Sequence, residues 1–254
     1  MERRTALPGS RLVIVTGGRS GIGAAIARRL AREGHRVAIG CRRPEDAAPL
    51  LAAIAGEGGE ALALKLDVAR EASVASFFAE AEARLGPLHA LVNNAGITGP
   101  LGAFRDLDPA WMRRVAEVNL IGTMLCAQAA LRRFAAADGE GRSIVNISSV
   151  AAQTGSPGEY VHYAAGKAAV EAFTLGLARE VAAQGIRVNA VAPGTVNTGI
   201  HALAGDPGRP ARIAPRVPMG RVGEPEEIAE AVAWLISGAA SYATGAVLRV
   251  TGGL

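Results

Sequence analysis

The sequence predicts an α/β fold: a single doubly wound domain, residues 1–254, built on a seven-stranded parallel sheet. Three observations carry this. Short apolar runs alternate with longer helical patterns along all 254 residues. Most of the runs are continuously apolar rather than alternating, as expected of strands covered on both faces. No repeat, linker or low-complexity segment divides the chain, so right-handed crossovers can wind it into one sheet. Half the residues are hydrophobic and only 4% are aromatic, so Ala, Val, Ile and Leu must fill the interior.

The first strand is expected at 11–16. It runs into Thr16-Gly17-Gly18-Arg19-Ser20-Gly21-Ile22-Gly23, which opens a helix over 21–33. Ile22, Ile26 and Leu30 line one face of that helix, and Gly34 ends it. Glycines here let the chain turn sharply and let a pyrophosphate approach the backbone. The helix N-terminus supplies free N–H groups and a favourable dipole. At a first strand-to-helix junction this pattern points to a dinucleotide, held by Gly17, Arg19, Ser20, Gly21, Ile22 and Gly23.

The second strand, 36–40, ends in Gly40-Cys41-Arg42-Arg43. An acidic residue there would bond the ribose 2′-OH of NAD, whereas arginine accommodates a 2′-phosphate. Cys41 stands at the acidic position, so NADP(H) is expected, with Arg42 the main phosphate contact and Arg43 or Arg19 assisting. Strands follow at 61–66 and 89–93, with a helix over 72–85 between them. A long helix is expected at 109–136, a strand at 143–148 and a second long helix at 163–183. A strand at 187–192, a helix at 225–237 and a strand at 245–250 complete the sheet. The irregular stretch 193–223, rich in Gly, Pro and Arg, is long enough to be a substrate lid.

Lys167 is one of only two lysines, and Tyr163 is one of three tyrosines. Four residues apart on a helix, they share a face. A phenol whose ionised form is stabilised by a nearby ammonium is suited to proton transfer.

The net charge of +4 comes from scattered arginines, with no basic run interleaved with aromatics, so no nucleic-acid partner is expected. The four histidines are dispersed and no HExxH occurs, so no metal is expected. Cys41 and Cys126 form no CxxC pair. No apolar run reaches membrane-spanning length and no signal-type segment opens the chain. No membrane partner and a cytoplasmic location are therefore expected.

Several segments together resemble the short-chain dehydrogenase/reductases over essentially the full length. They are Thr16–Gly23, Asp67-Val68, Asn93-Asn94-Ala95-Gly96, Asn119, Ile147-Ser148-Ser149, Tyr163-x-x-x-Lys167, Pro193-Gly194 with Thr195 to Thr198, and Gly252-Gly253. The resemblance implies a Rossmann-type domain. It implies Tyr163 as acid/base, Lys167 stabilising the phenolate and bonding the cofactor ribose, and Asn119 holding a water that links Lys167 to solvent. A serine polarises the carbonyl oxygen; alignment favours Ser149 over Ser148. Asp67, Val68, Asn93, Ala95, Gly96, Pro193, Gly194, Val196 and Thr198 are implied to line the cofactor, together with Tyr163 and Lys167.

The expected activity is hydride transfer between NADP(H) and a secondary alcohol or carbonyl compound. The alternatives are a 3-oxoacyl-carrier-protein reductase, for which Arg132 and Arg133 would be docking residues, and a non-catalytic dinucleotide-binding protein. Asp138 and Glu140, close after those arginines, weigh against an acidic carrier. The resemblance also implies a homotetramer assembled through the long helices. Tyr160 and His162 are candidate pocket residues, solvation is the default for His201, Arg209, Arg212 and Arg216, and Trp111 and Trp234 are expected in the core or an interface.

Overall fold

The computed structural model describes residues 11–136 and 141–254; Asp138 and Glu140 lie outside them. All seven expected strands form. They are β1 (Leu12–Thr16), β2 (Arg36–Cys41), β3 (Glu60–Lys65), β4 (Leu88–Asn93), β5 (Arg142–Ile147), β6 (Ile186–Pro193) and β7 (Val247–Val250). They pair in parallel in the order β3-β2-β1-β4-β5-β6-β7. The chain moves outward one way from β1 and then the other way from β4. The crevice at the carboxyl ends of these two strands is where open α/β sheets place ligands.

Strand residues alternate between faces, and the two faces have separate cores. Leu12 and Ile14 pack with Phe77, Phe78, Phe134 and Leu177. These come from α3 (Glu71–Leu85), α5 (Gly122–Ala136) and α7 (Val161–Val181). Val13 and Val15 pack on the other side with Ile26, Leu30, Ile54, Ile228 and Val232. Those residues come from α1 (Gly21–Arg32), α2 (Ala48–Gly56) and α10 (Pro225–Ile236). The helix α2 is not among the sequence expectations. Its Ala- and Leu-rich run is apolar all round and shows no 3.6-residue stripe.

One expectation fails in an instructive way. The helix expected over 109–136 is broken: α4 (Pro109–Ala116) passes through one π-helical turn, Glu117–Ile121, before α5. Trp111 and Trp234 are 42% and 44% exposed, so of the two places expected for them only an interface remains open.

Opposite the crevice, arginines at the starts of β5 and β6 meet the carboxyl ends of α5 and α10. Arg142 donates to Phe134 O of α5 at 2.5 Å, and Arg187 donates to Leu235 O and Ile236 O of α10 at 2.5 and 3.0 Å. Each satisfies carbonyls that a helix end leaves without partners. His89 lies among these cations and packs against Arg11. Burial first, then the charges of Arg11, His35, Arg142 and Arg187, push its pKa down from 6.5 to about 4. The folded state therefore prefers neutral His89. That contribution to stability is complete above the unfolded pKa of about 6.5 and is lost as pH falls toward 4. Denaturant midpoints measured from pH 7 to pH 4 should fall less steeply in His89→Gln than in the native protein; equal slopes would contradict this assignment.

Candidate active site

The glycine turn is shaped by close backbone approaches. Gly17 has φ +65°, and a Cβ there would lie 2.8 Å from Ala95 Cα. A Cβ on Gly23 would lie 2.4 Å from Asn94 Nδ2 and 2.5 Å from Gly17 O. Asn94 fastens the turn to the end of β4: its Nδ2 donates to Thr16 O at 2.9 Å and to Gly17 O at 3.1 Å. The buried Thr16 hydroxyl accepts from Asn94 N and Ala95 N, both at 3.0 Å. Sequence reasoning names Asn94 in its motif but gives it no role. The signal is that it follows Asn93 at the end of the strand beside the turn.

Ser20 is the N-cap of α1 and gives it no side-chain hydrogen bond, so the first N–H groups stay open toward the crevice. Ile22 packs into the core beneath them. Thr198, in the segment after β6, closes over the turn, 3.3 Å from where a Gly21 Cβ would stand. The cradle thus offers backbone donors with no side chain in the way, which fits a pyrophosphate.

Beyond the turn, Arg42 and Arg43 are both exposed at the end of β2. Asp46 pairs with Arg43 at 2.9 Å and with Arg19 at 3.5 Å. Arg42 has no ion pair or hydrogen bond among the described residues. The cation named as the main phosphate contact is the free one, and its two assistants share a carboxylate.

Asp67 accepts from Ala69 N at 3.1 Å, forming an Asx-type turn after β3. Val68 is buried and packs against Gly122, whose Cβ would meet it at 2.7 Å. Asn93 does not open to the crevice. It is buried, and its Nδ2 donates to Asn146 Oδ1 at 2.9 Å and to Thr123 O at 3.3 Å, tying β4 to β5 and α5. Pro193 ends β6, and Gly194 lies where a Cβ would be 2.9 Å from Thr251 Cα. Val196 is buried and bridges to Gly223.

The four reactive candidates meet at the carboxyl ends of β4 and β5. Ser149 lies near enough to the Tyr163 phenol to lower its pKa, and its hydroxyl accepts from Ala151 N at 3.1 Å. Ser148 instead faces inward: it donates to Glu171 Oε1 at 2.8 Å. Gln153 also bonds Glu171, at 3.1 Å, so one carboxylate on α7 braces the chain on both sides of Ser149. Lys167 Nζ donates to Ile147 O at 2.6 Å and sits 5.7 Å from the Tyr163 ring centroid. A Cβ on the exposed Gly96 would lie 3.4 Å from Asn119 Oδ1 and 3.6 Å from Lys167 Nζ.

Asn119 lies in the π-helical turn, which rotates it out of α-helical register toward the loop after β4. Its Oδ1 accepts from Ile97 N at 2.9 Å and its Nδ2 donates to Ile97 O at 2.8 Å. These bonds anchor the side chain to that loop and use one of the amide's two N–H groups and one of its oxygen's two lone pairs.

Tyr163 and Lys167 share a face as their spacing requires, but the expected direct contact of ammonium with phenol oxygen does not form. The Ile147 carbonyl takes the ammonium. Burial pushes the Tyr163 phenol up to about 12, partly offset by the neighbouring Ser149. Burial also lowers Lys167 to about 8. At neutral pH the phenol is a proton donor.

The stretch 193–223 carries two short helices, α8 (Ile200–Leu203) and α9 (Arg209–Ile213). Arg216 is exposed as expected, but Arg209 and Arg212 are not simply solvated. Arg209 is 8% exposed and Arg212 pairs with Asp206 at 2.5 Å. His201 is also buried, bonded to Val196 O at 2.8 Å. His162 is bonded to Thr98 O at 2.8 Å, and Tyr160 packs edge-on against Tyr163 with centroids 5.3 Å apart.

A doubly wound sheet with a glycine cradle and a Ser-Tyr-Lys cluster at one crevice defines a dinucleotide-dependent oxidoreductase site. A family model described as enoyl-(acyl carrier protein) reductase matches residues 17–254. An uncharacterized oxidoreductase, YgfF, of Escherichia coli is 45% identical over 95% of this chain and 99% of its own. The cis-4-hydroxycyclohexanecarboxylate dehydrogenase of Sinomonas cyclohexanicum is 46% identical over 96% of each chain. A short-chain type dehydrogenase/reductase from Mycobacterium marinum superposes with a TM-score of 0.89 at 33% identity, covering 95% of this chain and 94% of that one. The chain belongs to the short-chain dehydrogenase/reductase family, oxidoreductases that use nicotinamide dinucleotides.

Proposed function

We propose that this protein interconverts a secondary alcohol and its carbonyl compound with NADP(H) as cofactor. The observation that carries the reading is the buried Tyr163, with Lys167 5.7 Å from its ring and Ser149 beside its phenol, at a crevice that also holds the glycine cradle. The bound nicotinamide would supply or accept the hydride. In the reduction direction Tyr163 gives its phenolic proton to the carbonyl oxygen. Ser149 turns its hydroxyl to the same oxygen and stabilises the charge growing there. Lys167 provides positive charge on the face of the ring as the phenolate forms. Asn119 fixes the Ile97 loop and so the floor of the crevice.

Arg42 supports NADP(H) over NAD(H), since it is an unpaired cation at the end of β2 with no carboxylate in the position that would hold a ribose diol. A hydroxycyclohexanecarboxylate, named for one relative, is a secondary alcohol, which supports that substrate class. Carrier-protein docking finds less support: Arg133 is held by Glu82 at 2.8 Å and lies over the Phe78 ring.

The same reading takes the protein as cytoplasmic, its two cysteines being free and buried. It also takes it as a homotetramer, with Trp111, Ile121 and Leu175 exposed on the long helices. A monomer in sedimentation would remove the tetramer. The functional test is NADPH oxidation by the purified protein across a panel of ketones and aldehydes. At least one should be reduced faster with NADPH than with NADH; no turnover, or faster turnover with NADH, would contradict the proposal.

A further inference from the structure

Arg209 occupies a position that neither the cofactor cradle nor the reacting groups explain. It is a buried cation in α9, within the stretch that follows β6, yet its contacts lead back to Tyr163. Its Nη2 donates to Glu159 Oε2 at 2.6 Å, and its Nη1 donates to Thr195 Oγ1 at 3.2 Å. Its guanidinium lies over the Tyr160 ring, 5.2 Å from the centroid. The Tyr160 ring in turn meets the Tyr163 ring edge-on, at an interplanar angle of 82°.

Four connected contacts therefore run from the lid to the phenol. Thr195 marks where the lid leaves β6. Glu159 and Tyr160 immediately precede α7, the helix that carries Tyr163. A guanidinium stacked on one ring while bonded to a carboxylate holds that ring in a fixed plane. An edge-to-face aromatic pair then transmits the orientation to the next ring. Glu159 also accepts from Arg212 at 3.2 Å, and Arg212 is anchored by Asp206, so the carboxylate itself is held from the lid side. Arg209 Nε is buried with no partner. The residue stays in place through Glu159 and Thr195 rather than through full satisfaction of its donors, so loss of Glu159 should release it.

We propose that Arg209 is a positioning residue. Through Glu159 and Tyr160 it couples closure of the 193–223 lid to the orientation of the Tyr163 phenol. This rests on the reading of Tyr163 as the proton donor, but the contact chain is testable apart from it.

The test uses the full-length protein labelled with 3-fluorotyrosine, whose only tyrosines are Tyr160, Tyr163 and Tyr242. Fluorine resonances are assigned by single Tyr→Phe variants and compared in Arg209→Leu, Arg209→Lys and Glu159→Gln. Arg209→Leu and Glu159→Gln should shift or broaden the Tyr160 and Tyr163 signals and leave that of the fully exposed Tyr242 unchanged. Arg209→Lys should give an intermediate result, because an ammonium keeps the charge but not the planar stack. With a ketone that the native protein reduces, kcat should fall at least about tenfold in Arg209→Leu, with the NADPH dissociation constant unchanged. If Arg209→Leu does not fold, Glu159→Gln carries both measurements. An unmoved Tyr163 signal, or an unchanged kcat, would overturn the proposal. An active Tyr163→Phe would instead refute the proton-donor reading and leave the fluorine result standing by itself.

Discussion

Tyr163→Phe should bind NADPH as the native protein does and reduce its ketone substrate about a hundred- to ten-thousand-fold more slowly, the range that one positioned acid contributes. The substitution deletes one oxygen from a ring that is already buried against Tyr160 and Ala164, so the packing survives. What is lost is the phenolic proton donor beside Ser149 at the crevice. A change in cofactor affinity would show that the phenol serves binding instead. Retained turnover would show that the proton comes from elsewhere. The measurement is steady-state NADPH oxidation paired with fluorescence titration of NADPH.

The second large effect concerns cofactor choice. Arg42→Ala should weaken NADPH binding about ten- to a hundredfold, the worth of one or two hydrogen bonds to a charged phosphate. NADH binding should hardly change, because the 2′-phosphate is the one group that distinguishes the two. Arg19 and Arg43 cannot fully compensate, since Asp46 engages both. An unchanged NADPH dissociation constant, or a native preference for NADH, would contradict this role.

The fold was legible because its signals are local. Continuous apolar runs such as Leu12–Thr16 read as strands covered on both sides, and the glycine spacing after Thr16 reads as a tight turn opening a helix. Ser149 was preferred to Ser148 in the sequence through the family resemblance, since alternation at a strand end says only that the two face opposite ways; Ser148 turns inward to Glu171. The π-helical turn was not legible. One inserted residue shifts the hydrophobic stripe of 109–136 by about 100°, and the apolar Val118, Leu120 and Ile121 around it blur that shift. Nor was the state of Lys167. Spacing places the ammonium on the face of Tyr163, but the acceptor that takes it, Ile147 O, comes from a strand 20 residues away. The pairing of Arg209 with Glu159 spans 50 residues and carries no periodic signal.

The whole account depends on one crevice serving both the dinucleotide and the proton donor. A crystal structure with NADP(H) bound tests this most directly. The account predicts the 2′-phosphate on Arg42, the pyrophosphate over Gly17–Gly23, and the nicotinamide end beside Tyr163 and Lys167. A dinucleotide bound elsewhere, or one whose nicotinamide lies on the far side of the sheet from Tyr163, would contradict it.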